Sequence, residues 1–491
     1  MSDLILVRLA AELTIKSSRT RVSFMRRLTR NMRDALKSAD VEHRIETQWG
    51  RVYVRADHAL ALPVLSRVFG LSSISAVDRR VHADVDTIVE NAVELYRDVV
   101  RGQRFAVRAR RVGKHAFASK DVEIKLGSAL LPFSNGVDLS APDVTVHVEI
   151  RGDRADLFCD RVRGAGGLPV GVEGRAVSLL SGGYDSAVSS WLMIKRGIAL
   201  DYVFCNLGGD AYERAVLQVA KVLADEWSFG TRPRMHVIDF TEPLRDLREN
   251  IKEGYWQLAL KRLMYHAASQ VATESGAQAI ITGEAVGQVS SQTLTNLRVL
   301  DPAATLPLFR PLLGFDKDEI IGRARLIGTA SLSEQVKEYC AITPGRPITA
   351  SKMDRLDAEE AKLDPALLDA AVAARKVLDL RDIKPADMVA PYLFTEDVPD
   401  GAHIIDCRPL AQFRGWHLKG AERRDEWELL RDFKKLDRNV TYVLYCAHGI
   451  QTAYIAEKMQ RAGYEAYSFR GGLRGVMAYA KKQGLHLELL R

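Results

Sequence analysis

The chain has 491 residues, of which 47% are hydrophobic and 27% charged, and its formal net charge is +7. This length is enough for about three domains, and the composition is that of an ordinary globular protein. No window approaches the roughly 18 uninterrupted apolar residues of a membrane span, and the first residues lack the features of a secretion signal. The five cysteines form no C-x-x-C pair, which argues against a zinc knuckle or a secreted disulfide framework and favours a reducing, cytoplasmic compartment.

The first part of the chain is predicted to form two small α+β modules. A strand over 4–9, a helix over 21–36 and a strand over 50–54 predict the first module, residues 1–58. Residues 59–165 continue with the same kinds of element. The predicted helices are 64–69, 85–99 and 119–131, and the predicted strands are 105–110, 144–151 and 154–158.

Two clusters of basic residues lie in these modules. The first contains Arg19, Arg21, Arg26, Arg27, Arg30 and Arg33, with only Asp34 nearby. The second lies between 97 and 125 and has nine Lys and Arg residues against three acidic ones. Such clusters suit a phosphate backbone, because each neutralised phosphate releases counterions. A solvated helix face is the alternative, and taken alone the pattern does not decide between the two.

A glycine-rich hinge at 164–167 leads into a central domain predicted over 166–395, which includes a packed connector from 343 to 391. Short apolar runs alternate there with helical stretches. The predicted strands are 176–180, 202–205, 236–240 and 279–282, and the predicted helices are 214–224, 255–273 and 316–327. This alternation predicts a doubly wound α/β fold with a parallel sheet, whose ligands bind at the carboxyl ends of the strands. Residues 396–491 are predicted to form a further α/β domain.

The segment Ser181-Gly182-Gly183-Tyr184-Asp185-Ser186 lies between the strand at 176–180 and a helix that begins near 187. Two glycines between a strand and a helix place backbone N–H groups and a helix N-terminus around one point, an arrangement that binds phosphate. No Lys follows the glycines, so the segment is not a G-x-x-x-x-G-K-[ST] loop. An ordinary glycine-rich turn is the alternative, and the two serines and the internal carboxylate argue against it.

A second loop, residues 282–292, follows the predicted strand at 279–282. It is rich in small and amide side chains, which suits a loop that closes over a nucleobase. Lys261 lies on the preceding helix, and Arg310 and Lys317 lie downstream, where Lys317 could neutralise phosphate charge. Each of these residues alone is more often a solvated surface residue. Together with the 181–186 loop they are better explained as the rim of one site.

Cys446 is the candidate for a second reaction centre. It follows a predicted strand over 440–445 and precedes a predicted helix over 453–461. A thiol at a helix N-terminus is stabilised as thiolate by converging N–H groups and the helix dipole, and the same cradle would hold a persulfide anion. Cys159, Cys205 and Cys407 are predicted to be unreactive. Cys340, by its position alone, is as compatible with packing as with a functional role.

These motifs resemble known families. Residues 181–186 resemble the SGGxDS loop of the PP-loop ATP pyrophosphatases, and residues 105–111, with the order of elements around them, resemble the RNA-binding THUMP domain. Residues 406–408, 415–421 and 470–472 resemble the signature segments of the rhodanese fold. With 283–293 and 338–340 added, the whole chain resembles the tRNA 4-thiouridine synthetase family. The resemblance implies a ferredoxin-like domain (1–58), a THUMP domain (59–165), a PP-loop domain (166–395) and a rhodanese-like domain (396–491).

The resemblance also implies roles for individual residues. It implies ATP contacts at Leu179, Leu180, Ser181, Gly182, Gly183, Asp185, Ser186, Lys261, Gly283 and Gln292. Asp185 would organise Mg²⁺ or the phosphates, Lys317 would support adenylation, and no set of side chains is assigned as a dedicated metal site. Cys446 would carry a persulfide. Cys340 would attack that persulfide, release sulfide and leave a Cys340–Cys446 disulfide.

The implied activity is ATP-dependent transfer of sulfur to a uridine of tRNA, expected to be uridine 8, through an adenylated uridine to give 4-thiouridine. The implied partners are tRNA, a cysteine desulfurase that loads Cys446, a reductant that resets the disulfide and, for the thiazole of thiamine, a ubiquitin-like sulfur-carrier protein. Two rival functions are a PP-loop ligase or amidase acting on a small metabolite and an RNA-binding sulfur carrier that does not modify RNA. The first leaves the basic modules and Cys446 unexplained, and the intact Asp185 loop argues against the second.

Overall fold

The structure is a computed structural model and describes residues 3–48, 51–207, 209–334, 336, 347–384, 388, 393–408, 410–446 and 450–484. The chain forms two compact units, Met1–Asp382 and Ile383–Arg491. None of the helices in the described ranges is both long enough and apolar enough to cross a membrane.

The first unit contains both strands and helices. The strands are β1 (Asp3–Leu9), β2 (Arg44–Gln48), β3 (Arg51–Ala56), β4 (Leu71–Val77), β5 (Arg79–His82), β6 (Phe105–Val112), β7 (Val144–Arg151), β8 (Arg154–Phe158), β9 (Val162–Arg163), β10 (Arg175–Leu179), β11 (Ala199–Asn206), β12 (Arg234–Asp239), β13 (Ile280–Ile281), β14 (Leu308–Phe309) and β15 (Lys376–Asp379). The helices are α1 (Ala11–Thr14), α2 (Ser18–Ser38), α3 (His58–Leu65), α4 (Val85–Tyr96), α5 (Ser119–Leu130), α6 (Tyr184–Lys195), α7 (Gly209–Trp227), α8 (Thr241–Asn250), α9 (Trp256–Ser275), α10 (Leu294–Leu300), α11 (Lys317–Ile327), α12 (Ala330–Ser333), α13 (Met353–Glu360) and α14 (Pro365–Ala373).

The N-terminal module is an antiparallel sheet in the order β2-β3-β1-β4-β9, with α2 and α3 packed on one face. Helix α3 begins at His58 because the Asp57 carboxylate accepts hydrogen bonds from the N–H groups of Ala59 and Leu60. The helix ends at Leu65, so the predicted helix over 64–69 was placed too late. Strand β4 was not predicted, because three serines interrupt its apolar pattern; two of them, Ser73 and Ser75, are buried.

The second module is a four-stranded sheet in the order β5-β8-β7-β6, in which β6 and β7 run parallel. Helices α4 and α5, both predicted from the sequence, pack against it through buried apolar residues. A buried carboxylate joins this sheet to the first one. Glu149 accepts hydrogen bonds from Arg8 and Arg51 of the N-terminal module, at 3.0 and 2.7 Å, and from Arg151 of its own strand at 2.9 Å. The two modules are therefore held together by charge as well as by packing.

The central sheet has the order β14-β13-β10-β11-β12-β15. All neighbouring strands are parallel except β12 and β15, which are antiparallel. The predicted doubly wound α/β fold is confirmed. Strand β15 comes from the segment predicted as a connector, and it adds an antiparallel edge to the sheet. The alternation of strands and helices predicts parallel neighbours, so it does not predict an antiparallel strand at the edge of the sheet.

The second unit contains β16 (Phe394–Thr395), β17 (His403–Asp406), β18 (Glu422–Arg423), β19 (Tyr442–Tyr445), β20 (Ala466–Phe469), α15 (Leu410–Gly415), α16 (Glu426–Asp432), α17 (Ile450–Arg461) and α18 (Gly472–Lys482). Its strands form a parallel sheet in the order β16-β20-β19-β17-β18. The predicted α/β class of this region is confirmed.

Candidate active sites

The two loops singled out in the central domain meet at the switch point of its sheet. Strand β10 has β11 on one side and β13 on the other, so the chain leaves β10 in one direction and returns on the opposite side. Ligands of doubly wound folds bind in the crevice that this reversal opens at the carboxyl ends of the strands. The loops that follow β10 and β13 are 180–183 and 282–293, the two that carry the sequence motifs.

Gly283 of the second loop packs against the first turn of α6. A Cβ atom at this position would lie 2.7 Å from the carbonyl carbon of Asp185 and 2.7 Å from the backbone nitrogen of Ser186. Both neighbours are backbone atoms and cannot rotate away. Only glycine therefore allows the second loop to touch the N-terminus of α6.

The 181–186 loop is shaped for an anion. Gly182 has φ +79°, in the region that favours glycine, and Gly183 is the residue that precedes the first turn of α6. The hydroxyl of Ser186 accepts hydrogen bonds from the backbone N–H and the hydroxyl of Ser181, both at 3.2 Å, and donates to the carbonyl of Gly183 at 3.1 Å. The loop is thus closed on itself over the N-terminus of a 12-residue helix, where the backbone dipoles attract negative charge.

Asp185 is held from two directions. Lys317 Nζ donates to both carboxylate oxygens, at 3.0 and 3.2 Å, and Gln288 Nε2 donates to Oδ2 at 2.9 Å. Lys317 is the first residue of α11, whose start is fixed by a reciprocal cap between Asp316 and Glu319. The Lys317 side chain remains 44% exposed, so a ligand can contact it while its ion pair with Asp185 stays in place. The sequence did not single out Gln288.

Glu284 is the centre of a buried charge network beside these loops. Its carboxylate accepts hydrogen bonds from Lys261 Nζ at 2.6 Å, Tyr265 OH at 2.6 Å and Arg310 Nε at 2.7 Å. Burial alone would raise the pKa of Glu284, but the charges of Lys261 and Arg310 outweigh it and lower the pKa to about 2. The carboxylate is therefore ionised at neutral pH, and it fixes both cations at the edge of the site.

The structure brings most of the predicted ATP contacts to this crevice. Leu179 ends β10, Leu180 is buried directly after it, and the loop 181–186, Gly283 and Lys317 complete the group. The Gln292 amide oxygen accepts from the N–H of Ala285 at 3.4 Å, which folds the second loop back on itself. Lys261 lies at the site as an ion-paired residue. The sequence analysis did not single out its partner Glu284, although this carboxylate directly follows Gly283 in the second loop.

Cys446 directly follows β19, and α17 begins at Ile450, four residues further along the chain. The residue is 3% exposed, and the Thr452 hydroxyl donates to its Sγ at 3.6 Å. The N–H of Leu473 donates to the Cys446 carbonyl at 3.0 Å. The predicted strand before Cys446 and the predicted helix after it are both present. Cys340 and residues 447–449 lie outside the described residues.

The other three cysteines are the ones predicted to be unreactive. Cys205 and Cys407 are buried within apolar clusters. Cys159 is partly buried, and burial, helped by nearby Asp78, raises the pKa of its thiol to about 12. That thiol stays protonated at neutral pH, which makes it a poor nucleophile.

Four regions of the chain match known families. Residues 171–364 match the family described as thiamine biosynthesis protein (ThiI), and 4–75 match the ThiI ferredoxin-like domain. Residues 82–160 match the THUMP domain, and 393–479 match the rhodanese-like domain.

Full-length relatives show the same arrangement. The tRNA sulfurtransferase of Pyrobaculum aerophilum is 36% identical over 474 residues, covering 95% of this chain and 96% of the relative. That of Escherichia coli O157:H7 is 37% identical over 473 residues, covering 94% and 98%. The crystal structure of a 4-thiouridine synthetase–RNA complex with bound ATP has a TM-score of 0.68 and 31% identity, covering 77% of this chain and 99% of the other.

The fold and the crevice define a multidomain α/β enzyme of the PP-loop type, with ferredoxin-like, THUMP and rhodanese-like domains. The near-complete match to relatives at more than a third identity identifies the family as well. The chain belongs to the tRNA sulfurtransferase (ThiI) family, and it is a sulfurtransferase.

Proposed function

We propose that this chain activates the O4 of a uridine in tRNA, expected to be uridine 8, by adenylation with ATP and then replaces that oxygen with sulfur to give 4-thiouridine. The Asp185–Lys317 ion pair above the N-terminus of α6 is the observation that carries the proposal. It puts a carboxylate and a cation at the point where a strand-to-helix loop offers N–H groups to phosphate. The relatives named tRNA sulfurtransferase and the RNA and ATP of the related crystal structure support the same substrates.

The first step needs a site for pyrophosphate. The uridine O4 attacks the α-phosphorus of ATP, the bond to the β-phosphate oxygen breaks, and pyrophosphate leaves with its electron pair. The 181–186 loop would hold this leaving group, because its N–H groups and the helix dipole favour the charge that develops there. Lys317 would add a positive charge. Leu179, Leu180, Lys261, Gly283 and Gln292 are proposed to line the rest of the ATP site.

Mg²⁺ fits this site as a companion of ATP. Protein sites for Mg²⁺ commonly supply one or two carboxylates and leave the other positions to phosphates and water. Asp185 offers one such carboxylate, whereas the cluster of Asp3, Asp57 and His58 belongs to the N-terminal module and not to the crevice. Asp185 would hold the ion, which would neutralise charge on the phosphates, while Lys317 orients the carboxylate.

Cys446 is proposed to supply the sulfur. A cysteine desulfurase would load it as a persulfide, which the Thr452 hydroxyl can stabilise by hydrogen bonding. In one route the outer sulfur attacks C4, AMP leaves with the former O4, and Cys340 then attacks the inner sulfur, which breaks the S–S bond, releases 4-thiouridine and forms a Cys340–Cys446 disulfide. In the other route Cys340 attacks the inner sulfur first, so that the same disulfide forms and the outer sulfur leaves as hydrosulfide. Hydrosulfide then adds at C4, AMP leaves with the former O4, and a proton is lost. A two-electron reductant would return the disulfide to thiols.

The tRNA is proposed to dock on the two N-terminal modules, largely through shape and backbone charge. Such a substrate places the enzyme in the cytoplasm. The persulfide of Cys446 would also serve a ubiquitin-like sulfur-carrier protein for thiazole formation, and the family description of residues 171–364 supports this second role. That reaction would need Cys446 and not the adenylating crevice.

Incubation of unmodified tRNA with the enzyme, ATP, cysteine and a desulfurase tests the proposal through the near-ultraviolet absorbance of 4-thiouridine. Cys446→Ser should abolish the product, whereas Cys407→Ser, at the end of the neighbouring strand, should retain it. Asp185→Asn should abolish both the product and the release of pyrophosphate. Product formed without ATP, or formed equally well by the Cys446 variant, would contradict the proposal.

A further inference from the structure

A second charged cavity lies at the amino ends of the strands of the central sheet, whereas the ATP crevice lies at their carboxyl ends. Its volume is about 1330 Å³, and it lies between α2 of the N-terminal module and the amino ends of β10 and β11. Arg175 begins β10 in this cavity, and Ser181 follows the same strand at the other end. At about 3.3 Å per residue the two ends are about 20 Å apart. The cavity is therefore separate from the adenylating crevice.

The cavity is lined by nine Arg and Lys side chains and four Asp and Glu side chains. Each of the four carboxylates already has a cation. Asp34 pairs with Arg381, and Asp225 pairs with Lys221. Asp201 pairs with both Arg175 and Arg234, and Glu226 pairs with Arg67.

Of the other five cations, Arg232 pairs with Asp379 and Asp382, and the remaining four form a row along α2. Arg27, Arg30, Arg33 and Lys37 are spaced by three or four residues, which puts them along one side of the helix over about 15 Å. Within the described ranges, none of the four has an acidic partner. Arg27 donates through Nε to the carbonyl of Val170 at 2.7 Å, which aims its guanidinium into the cavity.

The wall of the cavity is built around this row. A Cβ atom at Gly171 would lie 2.1 Å from Nη2 of Arg27, so glycine there makes room for the guanidinium. Gly171 has φ +89°, which also favours glycine. Burial lowers the pKa of Arg27, and the charge of Arg30 adds to this effect. An anion in the cavity would favour the charged form of Arg27 and offset the repulsion between the two guanidinium groups.

We propose that this α2 cavity is a second RNA-phosphate subsite, which holds the backbone of the tRNA about 20 Å from the loop that activates the uridine. The inference rests on the proposed function, since it assumes that tRNA is the substrate. A row of about 15 Å is long enough to contact several consecutive phosphates of one RNA strand. The subsite would set where the RNA lies, and it would carry no sequence information.

The test is the salt dependence of tRNA binding. The double variant Arg30→Gln/Arg33→Gln removes two phosphate contacts, and it should lower the slope of log K against log salt by about 1.6. If binding at 1 M salt is unchanged, this corresponds to about 40-fold weaker binding at 0.1 M salt. Gln is a good helix former, so α2 should persist, as circular dichroism would check. The matched control is Arg248→Gln/Arg355→Gln, which removes two exposed charges of helices α8 and α13 that lie outside the cavity and outside both basic clusters.

The control should leave the slope within about 0.5 of the wild type. Equal effects of the two double variants would overturn the subsite, because they would show only general charge attraction. Tripolyphosphate binding, measured by calorimetry, separates the two sources of phosphate. If the Arg30/Arg33 variant loses tripolyphosphate binding but binds tRNA as the wild type does, the RNA assignment is overturned. Either failure is distinguishable from failure of the proposed function, since the wild type would still form 4-thiouridine.

Discussion

Replacement of Glu284 by Gln should destabilise the central domain and change its response to acid. The substitution keeps the shape of the side chain and removes the charge between Lys261 and Arg310, whose side chains are 19% and 8% exposed. The folded-state pKa of about 2, against an ordinary value of 4.5, corresponds to about 3 kcal/mol of stability at neutral pH. Removal of one partner from a buried ion pair costs about 3–5 kcal/mol, which agrees with this figure.

The sign of the pH effect follows from the lowered pKa. The contribution of Glu284 is fully present above pH 4.5, the ordinary value, and it is lost as the pH falls toward about 2. The Gln variant should therefore lose stability at pH 7, and the difference from the wild type should shrink below pH 4.5. The residue adjoins the ATP crevice, so weaker ATP binding should accompany the loss.

Urea unfolding followed by tryptophan fluorescence measures this effect, because Trp191 and Trp227 pack together beside the sheet. With a slope of about 3 kcal/mol per M, the midpoint of their transition should fall by about 1 M. Glu12→Gln is the matched control. It breaks the half-exposed pair with Arg196 and should cost less than about 1 kcal/mol. A Glu284 variant no less stable than this control would refute the reasoning.

Three further substitutions separate the two chemical steps. Gly283→Ala would drive its Cβ into the backbone of Asp185 and Ser186. Pyrophosphate release that depends on tRNA should then fall at least about tenfold, because a misplacement of about 1 Å can cost about 100-fold. The control is Gly322→Ala, whose Cβ meets open space and which should behave as wild type. Lys317→Gln should lower the same rate about 100-fold, and a loss below about threefold would remove Lys317 from the adenylation step. Thr452→Val removes the hydrogen bond to Cys446 Sγ. Labelling of that thiol by iodoacetamide and formation of 4-thiouridine should both slow, while pyrophosphate release stays unchanged. A parallel fall in pyrophosphate release would point instead to damage at the crevice.

The sequence predicted those parts of the fold that follow from local patterns. The alternation of apolar runs and helical stretches predicted the central sheet, and the glycines between β10 and α6 predicted its phosphate loop. Strand β4 was missed because its buried serines depend on partners far along the chain, such as Arg8, which donates to Ser75. Strand β15 was missed because its pairing with β12 is a long-range antiparallel contact.

The candidate site shows the same limit. Asp185, Lys317 and Gly283 were named from motifs, and the structure brings them into contact. Glu284 was not named, because its importance depends on cations from α9 and from beyond β14 that converge only after folding. Gln288 was missed for a similar reason, since one loop amide among several has no local signal.

The fate of the uridine oxygen tests the central claim most directly. A tRNA labelled with ¹⁸O at O4 of the target uridine can be converted in a single turnover with ATP, and the AMP can be analysed by mass spectrometry. If adenylation of that oxygen precedes the entry of sulfur, one ¹⁸O atom should appear in the phosphate of AMP for each 4-thiouridine formed. Unlabelled AMP, with the ¹⁸O recovered in water or in pyrophosphate, would contradict the account.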